Sequence, residues 1–424
     1  MALRGERFDG HRFLHQAAQR GAVAAVVGTV PVQDPGIPLV VVPDPLVALG
    51  ELARLHRRRF SLPVLAVAGS NGKTTTKEMI AAVLGTRYRV LATEGNLNNQ
   101  IGVPLTLFRI HGRHEVAVVE IGTNHPGEIR ALCEILEPTH GLVTGIGREH
   151  LEFFGSLDGV AREEGALLDH LRSVRGAVAY INADDSRLVA MTGGLRRVVS
   201  YGFRRRRLEL RGRRLQVDAE GRPRFELHAR RWKNPIPVAL AVPGRHTALN
   251  ALAAAAVGIA FRVPGGEIRR SLESFRGAHG RMEIVTAGGV TIIDDTYNAN
   301  PDSTMAALET LAGTASGGKH IAVLADMREL GETGPLEHAH IGEAVTRLGI
   351  GYLLTYGPLA KHISDSARCS FVAHYDQQNV LAEYLAELVT PGDTVLVKGS
   401  RAMHMNDVVT FLVERLSTSL GRQA

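Results

Sequence analysis

The chain has 424 residues, enough for two or three domains that each bury a core. Its 45% hydrophobic and 22% charged content describes an ordinary globular protein and excludes a disordered or fibrous one. The net charge of +6 is dispersed except at Arg204–Arg207 and Arg211–Arg214, which lack the interleaved aromatics that stack bases and so argue against nucleic acid. These runs fall in Val198–Pro237, which predicts short strands and turns: a solvated hairpin, with an anionic-partner site as the alternative. The opening Met1–Arg7 carries no apolar signal segment. The longest apolar run, Ala248–Phe261, is interrupted by Asn250 and Gly258 and is too short to span a bilayer. Cys133 and Cys369 stand far apart without metal-ligand spacing, which fits a reducing cytoplasm rather than a disulfide or zinc framework.

In chain order, Phe13–Ala18 predicts a helix, Ala22–Val27 and Leu39–Val42 strands, and Leu46–Arg57 a helix. Leu62–Ala68 is an apolar strand followed by a glycine-containing loop and a helix whose Met79/Val83 and Ile80/Leu84 pairs repeat at i, i+4. Buried-type strands follow at Val116–Val119, Leu142–Thr144 and Ala177–Ile181, with helical segments between them. That alternation predicts a mostly parallel sheet covered on both faces. It restarts after Gly280 with strands at Val290–Ile293, Ile321–Leu324, Tyr352–Thr355 and Thr394–Val397. Helices are expected at Ser303–Leu311, Leu336–Leu348, Asn379–Leu388 and Asp407–Leu416, giving a second doubly wound α/β unit. The hinge falls at Phe275–Gly280, and the expected divisions are 1–62, 63–277 and 278–424.

Gly69-Ser-Asn-Gly-Lys-Thr-Thr75 lies between a strand and a helix, the setting in which a glycine-rich loop cradles phosphate. Its backbone N–H groups converge on phosphate oxygens, and the helix N-terminus adds a favourable dipole. Gly69, Ser70, Asn71, Gly72, Lys73, Thr74 and Thr75 are therefore expected to bind ATP, with Lys73 on the β/γ-phosphates and the Thr74 hydroxyl on Mg²⁺. Only six of the 49 lysines and arginines are lysine, so a lysine in this loop asks for a chemical reason. The full pattern has glycine where Val67 stands, which makes the loop a shortened variant. Mg²⁺ needs carboxylate help. Glu120 ends a strand ahead of Gly122 and reads as a metal ligand or a surface acid. His150 follows another strand and reads as a ligand or a packed, capping residue.

These residues resemble the ATP-dependent Mur ligases of peptidoglycan synthesis. The resemblance runs through Phe8-Asp-Gly-His11, Gly69–Thr75, Glu94-Gly-Asn-Leu-Asn-Asn-Gln-Ile-Gly-Val-Pro104, Asn124-His-Pro-Gly-Glu128 and His150-Leu-Glu152. It continues through Gly280-Arg-Met282, Asp294-Asp-Thr-Tyr-Asn-Ala-Asn-Pro301, Asp326-Met-Arg-Glu-Leu-Gly331 and Lys398-Gly-Ser-Arg401. The Asn-Leu-Asn-Asn and Tyr-Asn-Ala-Asn-Pro strings resemble the branch that adds D-alanyl-D-alanine to UDP-N-acetylmuramoyl-tripeptide. The resemblance implies a three-domain α/β architecture: a UDP-substrate domain, a central phosphate-loop ATPase domain and a C-terminal Rossmann-like domain. It also implies ATP and Mg²⁺, an acyl-phosphate intermediate, a cytoplasmic location and a monomer. It places Asn250, Arg281 and Asn298 toward ATP, Asn96, Asn98, Asn99 and Asn300 toward the peptide substrates, and Lys398 beside Lys73 in catalysis. Turn formation is the alternative for the asparagines, helix capping for Asn250, and a solvated loop charge for Lys398.

Three departures qualify the resemblance. The family carries a carbamylated lysine after the His150 motif, whereas the matching stretch is Val160-Ala-Arg-Glu-Glu-Gly-Ala-Leu-Leu168 and no lysine stands between Lys77 and Lys233. Glu164 is expected to supply that negative charge. Thr247 replaces a usual second asparagine in His246-Thr-Ala-Leu-Asn250. The chain also begins late against the family pattern, so the first domain is expected to be incomplete, through an internal start or a truncation. The rivals are a related ligase, such as the third-residue-adding or folylpolyglutamate type, a phosphate-loop kinase or NTPase, and a non-catalytic nucleotide-binding scaffold.

Overall fold

The computed structural model describes residues 1–5 and 8–420; Glu6 and Arg7 of the opening segment lie outside them. Three sheets follow one another along the chain. The first is a parallel pair, β1 (Ala25–Val27) and β2 (Leu39–Val41), between α1 (Leu14–Gln19) and α2 (Pro45–Arg58). Ala2, Leu14, Ala25 and Val27 form its small core. The Asp44 carboxylate accepts from the N–H groups of Leu46 and Val47, and Pro45 takes the first helical position, where no N–H is needed. At its other end α2 is tied to the next unit, with Arg54 and Arg58 reaching Glu137 at 3.0 and 2.5 Å.

The second sheet has nine strands, in the order β11-β10-β9-β8-β7-β6-β3-β5-β4. Along the chain it runs β3 (Val64–Ala68), α3 (Lys73–Gly85), β4 (Val90–Ala92), α4 (Gly102–Phe108), β5 (Val116–Glu120), α5 (Glu128–Leu136) and β6 (His140–Val143). Then come α6 (Leu151–Phe154), α7 (Leu157–Ser173), β7 (Val178–Asn182), α8 (Ser186–Ala190) and β8 (Val198–Gly202). The strands β9 (Leu210–Val217), β10 (Pro223–Ala229) and β11 (Ile236–Ala239) precede α9 (Thr247–Ala260) and α10 (Gly265–Ser274). Strands β3, β5 and β7 are buried along their whole length, as expected of parallel strands covered on both faces. The chain order reverses at β3, which pairs with β5 on one side and β6 on the other, so the loop after β3 sits at the switch point where α/β sheets bind ligands.

The arginine-rich stretch is more than a solvated hairpin. β8 and β9 join the sheet in parallel, and β10 and β11 extend it antiparallel. Leu210, Phe225, Leu227 and Val238 point into the core that α9 covers, while the intervening arginines face outward. The alternation of apolar and charged residues encodes this half-buried state. Helix α9 is rich in alanine, and its small side chains let it lie close against α3. Gly258 marks the tightest approach, since a Cβ there would meet Val83 Cγ1 at 2.6 Å.

The third sheet has the order β12-β13-β17-β14-β15-β16, parallel except for the first pair. Its elements are β12 (Glu283–Ala287), β13 (Val290–Asp295), α11 (Pro301–Gly313), β14 (His320–Ala325), α12 (Gly334–Arg347) and β15 (Tyr352–Tyr356). They continue with α13 (Lys361–Ser366), β16 (Phe371–Tyr375), α14 (Gln378–Leu388), β17 (Thr394–Lys398) and α15 (Asn406–Leu420). β17 returns between β13 and β14, which makes a second switch point and places Lys398 beside Asp295. Phe275 packs against the core of the second sheet and also against that of the third. Among the described residues no helix is long and apolar enough to cross a membrane, and Cys133 and Cys369 are free.

Two stability predictions follow from this packing. Gly258→Val overfills the α9–α3 contact and should cost ~1–3 kcal/mol, read as a lowered thermal unfolding midpoint. The Arg58 hydrogen bond is the leading cause that holds the Glu137 carboxyl below its usual range. Its contribution is complete above the unfolded value of about 4.3 and is lost as pH falls through the lower folded value. Glu137→Gln should therefore flatten the acid side of the stability curve, checked by thermal midpoints measured between about pH 5 and pH 3.

Candidate active site

The loop after β3 is held from behind. The Gly69 N–H donates to Glu164 Oε2 at 2.7 Å, and the Ser70 N–H donates to the Gly145 carbonyl at 2.9 Å. Gly69 and Gly72 have φ of +115° and +76°, a region that disfavours side chains. Thr144 fills the space a Cβ on Gly69 would need, and Asn250 lies 2.8 Å from where one on Gly72 would stand. α3 begins at Lys73, and the first turn of any helix leaves N–H groups without intrahelical partners. The sequence Gly-Lys-Thr-Thr thus presents an anion cradle with a cation at its mouth.

A cleft of about 950 Å³ opens over this loop and is walled by both large sheets. Ser70, Asn71, Gly72, Lys73, Thr74, Thr75, Asn96, Asn98, Asn99, Glu120, His150 and Asn250 line it from the second sheet's side. Arg281, Asn298, Asn300 and Lys398 line it from the third's. Two of the expected residues do not: Gly69 and Glu164 lie behind the wall. Glu164 is fully buried, and its desolvation pushes the carboxyl up to about 8. Glu164 therefore supports the loop from behind, through the Gly69 N–H and against Glu149, rather than lining the cleft.

Lys73 Nζ donates to the Gly69 carbonyl at 2.6 Å and lies 3.4 Å from Glu149 Oε2. Burial alone would drain its charge, but Glu149, Glu164 and Glu120 together hold its pKa above the usual value. Glu120 is 1% exposed; its Oε1 accepts from Asn98 Nδ2 at 2.9 Å, and its Oε2 has no partner. It is thus a cleft acid and not a surface one. Glu149 Oε1 is likewise buried and unpartnered. Such orphaned carboxylate oxygens, in a cleft that Thr74 also lines, suit a hard cation. Among the described residues only His279, Glu283 and Asp294 bring three ligand atoms within 4.8 Å of one another, and His279 there is 86% exposed. The cleft acids form no such cage, which fits Mg²⁺, a cation that takes one or two carboxylates and completes its shell with phosphates and water.

The asparagines divide by task. Asn98 holds Glu120, whereas Asn99 Oδ1 accepts from the N–H groups of Ile101 and Gly102 at the start of α4 and so forms a turn. Asn250 stands within α9, whose cap is His246, so it is not a capping residue. Asn300 caps α11 through the Ser303 N–H and also donates from Nδ2 to Asn71 Oδ1 at 2.8 Å. Lys398 is 2% exposed and no solvated charge; its Nζ donates to Asp295 Oδ2 at 2.5 Å and to the Asn298 carbonyl at 2.9 Å. The Arg281 guanidinium lies 3.9 Å above the Tyr297 ring.

Contacts absent from the sequence reading join the two sheets. Arg148 donates from Nε and an Nη to Asp302 Oδ1 at 3.0 and 2.6 Å, and from its backbone N–H to Oδ2 at 2.7 Å. Its other Nη reaches Glu337 at 3.0 Å. His150, in a left-handed conformation, lies 2.5 Å from Glu329, whose carboxyl it holds below the usual range. Glu149, Arg148 and Asp302 were missed because each is an ordinary charged residue in a loop or helix start. The signal was the position of Arg148 and Glu149 at the carboxyl end of β6, beside the loop.

A phosphate loop facing a second α/β sheet that brings its own buried lysine defines a nucleotide-dependent ligase with a closing domain. Residues 67–258 match the Mur ligase middle domain, and residues 280–401 match the Mur ligase glutamate ligase domain. The UDP-N-acetylmuramoyl-tripeptide–D-alanyl-D-alanine ligase of Escherichia coli (strain K12) is 36% identical, over 98% of this chain and 90% of its own length. The enzyme of that name from Bacillus subtilis (strain 168) is 34% identical, over 97% and 89%. Among solved structures, MurF from Acinetobacter baumannii has a TM-score of 0.89 at 32% identity, covering 97% of this chain and 90% of that one. MurF ligase from Thermotoga maritima in complex with ADP has a TM-score of 0.86 at 30% identity, covering 99% and 94%. The chain belongs to the Mur ligase family. The three-domain α/β architecture expected from its motifs is the one present.

The Arg148 contacts are among those that hold the two sheets together, with Asn71–Asn300 and His150–Glu329. Arg148→Ala should increase the ligand-free radius of gyration in small-angle X-ray scattering while costing only about 1 kcal/mol of stability, since the pair is partly exposed.

Proposed function

We propose that the chain binds ATP with Mg²⁺ in this cleft and uses it to join D-alanyl-D-alanine to UDP-N-acetylmuramoyl-tripeptide in peptidoglycan synthesis. The observation that carries this is the meeting of Lys73 and Lys398, from different sheets, in one cleft lined by Asn98, Asn298 and Asn300. A carboxylate oxygen of the tripeptide attacks the γ-phosphorus of ATP, ADP leaves, and an acyl phosphate forms. The dipeptide amine, having lost a proton, then attacks the acyl carbon. The tetrahedral adduct collapses with expulsion of phosphate, leaving the amide.

The residues serve this sequence as follows. The Gly69–Thr75 loop holds the phosphates, and Lys73 offsets charge that moves onto the bridging oxygen. Asn250 packs beside the loop, and Arg281 and Asn298 approach the nucleotide from the third sheet. Asn96, Asn98, Asn99 and Asn300 face the peptide substrates. Lys398 is held by Asp295 within the cleft, where it stabilises the oxyanion of the adduct. Thr74, Glu120 and His150 would hold Mg²⁺, which supplies charge neutralisation at the phosphates, and Glu164 supports the loop from behind. Closure of the third sheet's domain excludes the water that would hydrolyse the acyl phosphate. Domain limits near residues 62 and 277 and a cytoplasmic location belong to this reading, supported by the succession of three sheets and by the two free cysteines.

Phosphate release should require ATP, UDP-N-acetylmuramoyl-tripeptide and D-alanyl-D-alanine together, with the amide product seen by mass spectrometry. Release that persists without the dipeptide would indicate a kinase or simple NTPase instead. Lys398→Ala should lower kcat about 10²-fold, the usual cost of removing a group that stabilises a developing oxyanion.

A further inference from the structure

The buried acids around Lys73 differ in what they can reach. Glu164 has no exposure and is committed through Oε2 to the Gly69 N–H; its Oε1 is also unpartnered, but the side chain lies outside the cleft wall. Glu149 is 6% exposed and lines the cleft together with Thr74, Glu120 and His150. Its Oε2 faces Lys73 Nζ at 3.4 Å, while its Oε1 is buried without a hydrogen-bond donor and the Glu164 carboxyl stands against the same side chain. A carboxylate oxygen in that state is costly unless something binds it. Glu120 presents a second such oxygen in the same cleft.

We infer that Glu149 is the carboxylate that faces the bound divalent cation on the His150 side of the cleft, and that Glu164 acts through it as a positioning residue. The inference rests on the ATP–Mg²⁺ function proposed above, and it moves the direct metal contact from α7 to the loop after β6. Glu164 fixes the Gly69 backbone and stands against Glu149, which restrains the Glu149 carboxyl. From α7, Glu164 presents no oxygen to the cleft, whereas Glu149, in the loop after β6, lines it.

The test reads metal binding by the full chain without turnover. Mn²⁺ is titrated in the presence of ADP, and free Mn²⁺ is followed by electron paramagnetic resonance. Glu149→Gln should weaken Mn²⁺ binding by ~tenfold or more, and Glu149→Asp, which keeps the charge at shorter reach, by less. Glu164→Gln can still accept from Gly69 N–H and should weaken it by no more than ~threefold. ADP affinity in EDTA should be unchanged or tighter in Glu149→Gln, because a phosphate-facing acid repels phosphate when no cation intervenes. A loss of that metal-free affinity would make Glu149 a mere clamp on Lys73 and overturn the inference. So would Mn²⁺ binding within twofold of wild type in Glu149→Gln, or a larger loss in Glu164→Gln than in Glu149→Gln. Thermal midpoints of all three variants confirm that folded protein is being compared. Amide formation by the wild-type enzyme is measured separately, so failure of the ligase function would not be mistaken for failure of this assignment.

Discussion

The cleft is built outward from one hydrogen bond, the donation of the Gly69 N–H to Glu164. It fixes the point at which β3 gives way to the phosphate loop, and the loop's own contacts are registered to that point. Ser70 pairs with Gly145 and Gly147, and Lys73 turns back onto the Gly69 carbonyl. Because the acceptor is a fully buried carboxylate, the bond is shielded from competing water. The helix that supplies it, α7, is anchored independently by its Ser156 cap and by the leucines it buries.

Around that anchor the charges are arranged to tolerate burial. Lys73 sits among Glu149, Glu164 and Glu120, and Lys398 is matched by Asp295. A lysine left alone in such a place would lose its proton; paired, it keeps the charge that phosphoryl and acyl transfer call for. The pairing on the third sheet follows directly from strand register, since Asp295 and Lys398 are opposite residues of β13 and β17. On the second sheet it depends on the end of β5, the loop after β6 and α7 meeting around Lys73.

That difference explains what could be read from the sequence. The phosphate loop, the parallel strands and the buried face of α3 were legible because each is written in local periodicity or in a contiguous motif. The Gly288-Gly289 turn between β12 and β13 was legible too, flanked as it is by alternating residues, yet it was passed over. β9 to β11 were underestimated because their arginines masked the inward half of the alternation. Glu149 and the Arg148 contacts could not be found in this way, since a charged residue in a loop acquires meaning only when a partner some 150 positions away is brought to it. Glu164 was singled out for the lysine it replaces, and its actual place behind the loop is a matter of side-chain length.

The contact between Arg148, Asp302 and Glu337 has a further consequence. It joins two domains through charged groups, of which Arg148 and Asp302 are about a third exposed, beside the Asn71–Asn300 amide pair and the His150–Glu329 pair. Such a junction is weakened by mobile ions over distances of about 8–10 Å at ordinary ionic strength, whereas the apolar cores on either side are indifferent to salt. Ionic strength therefore bears on this part of the junction more than on the stability of either domain, while the apolar contacts of Val242, Leu151 and Phe275 across the junction do not answer to it.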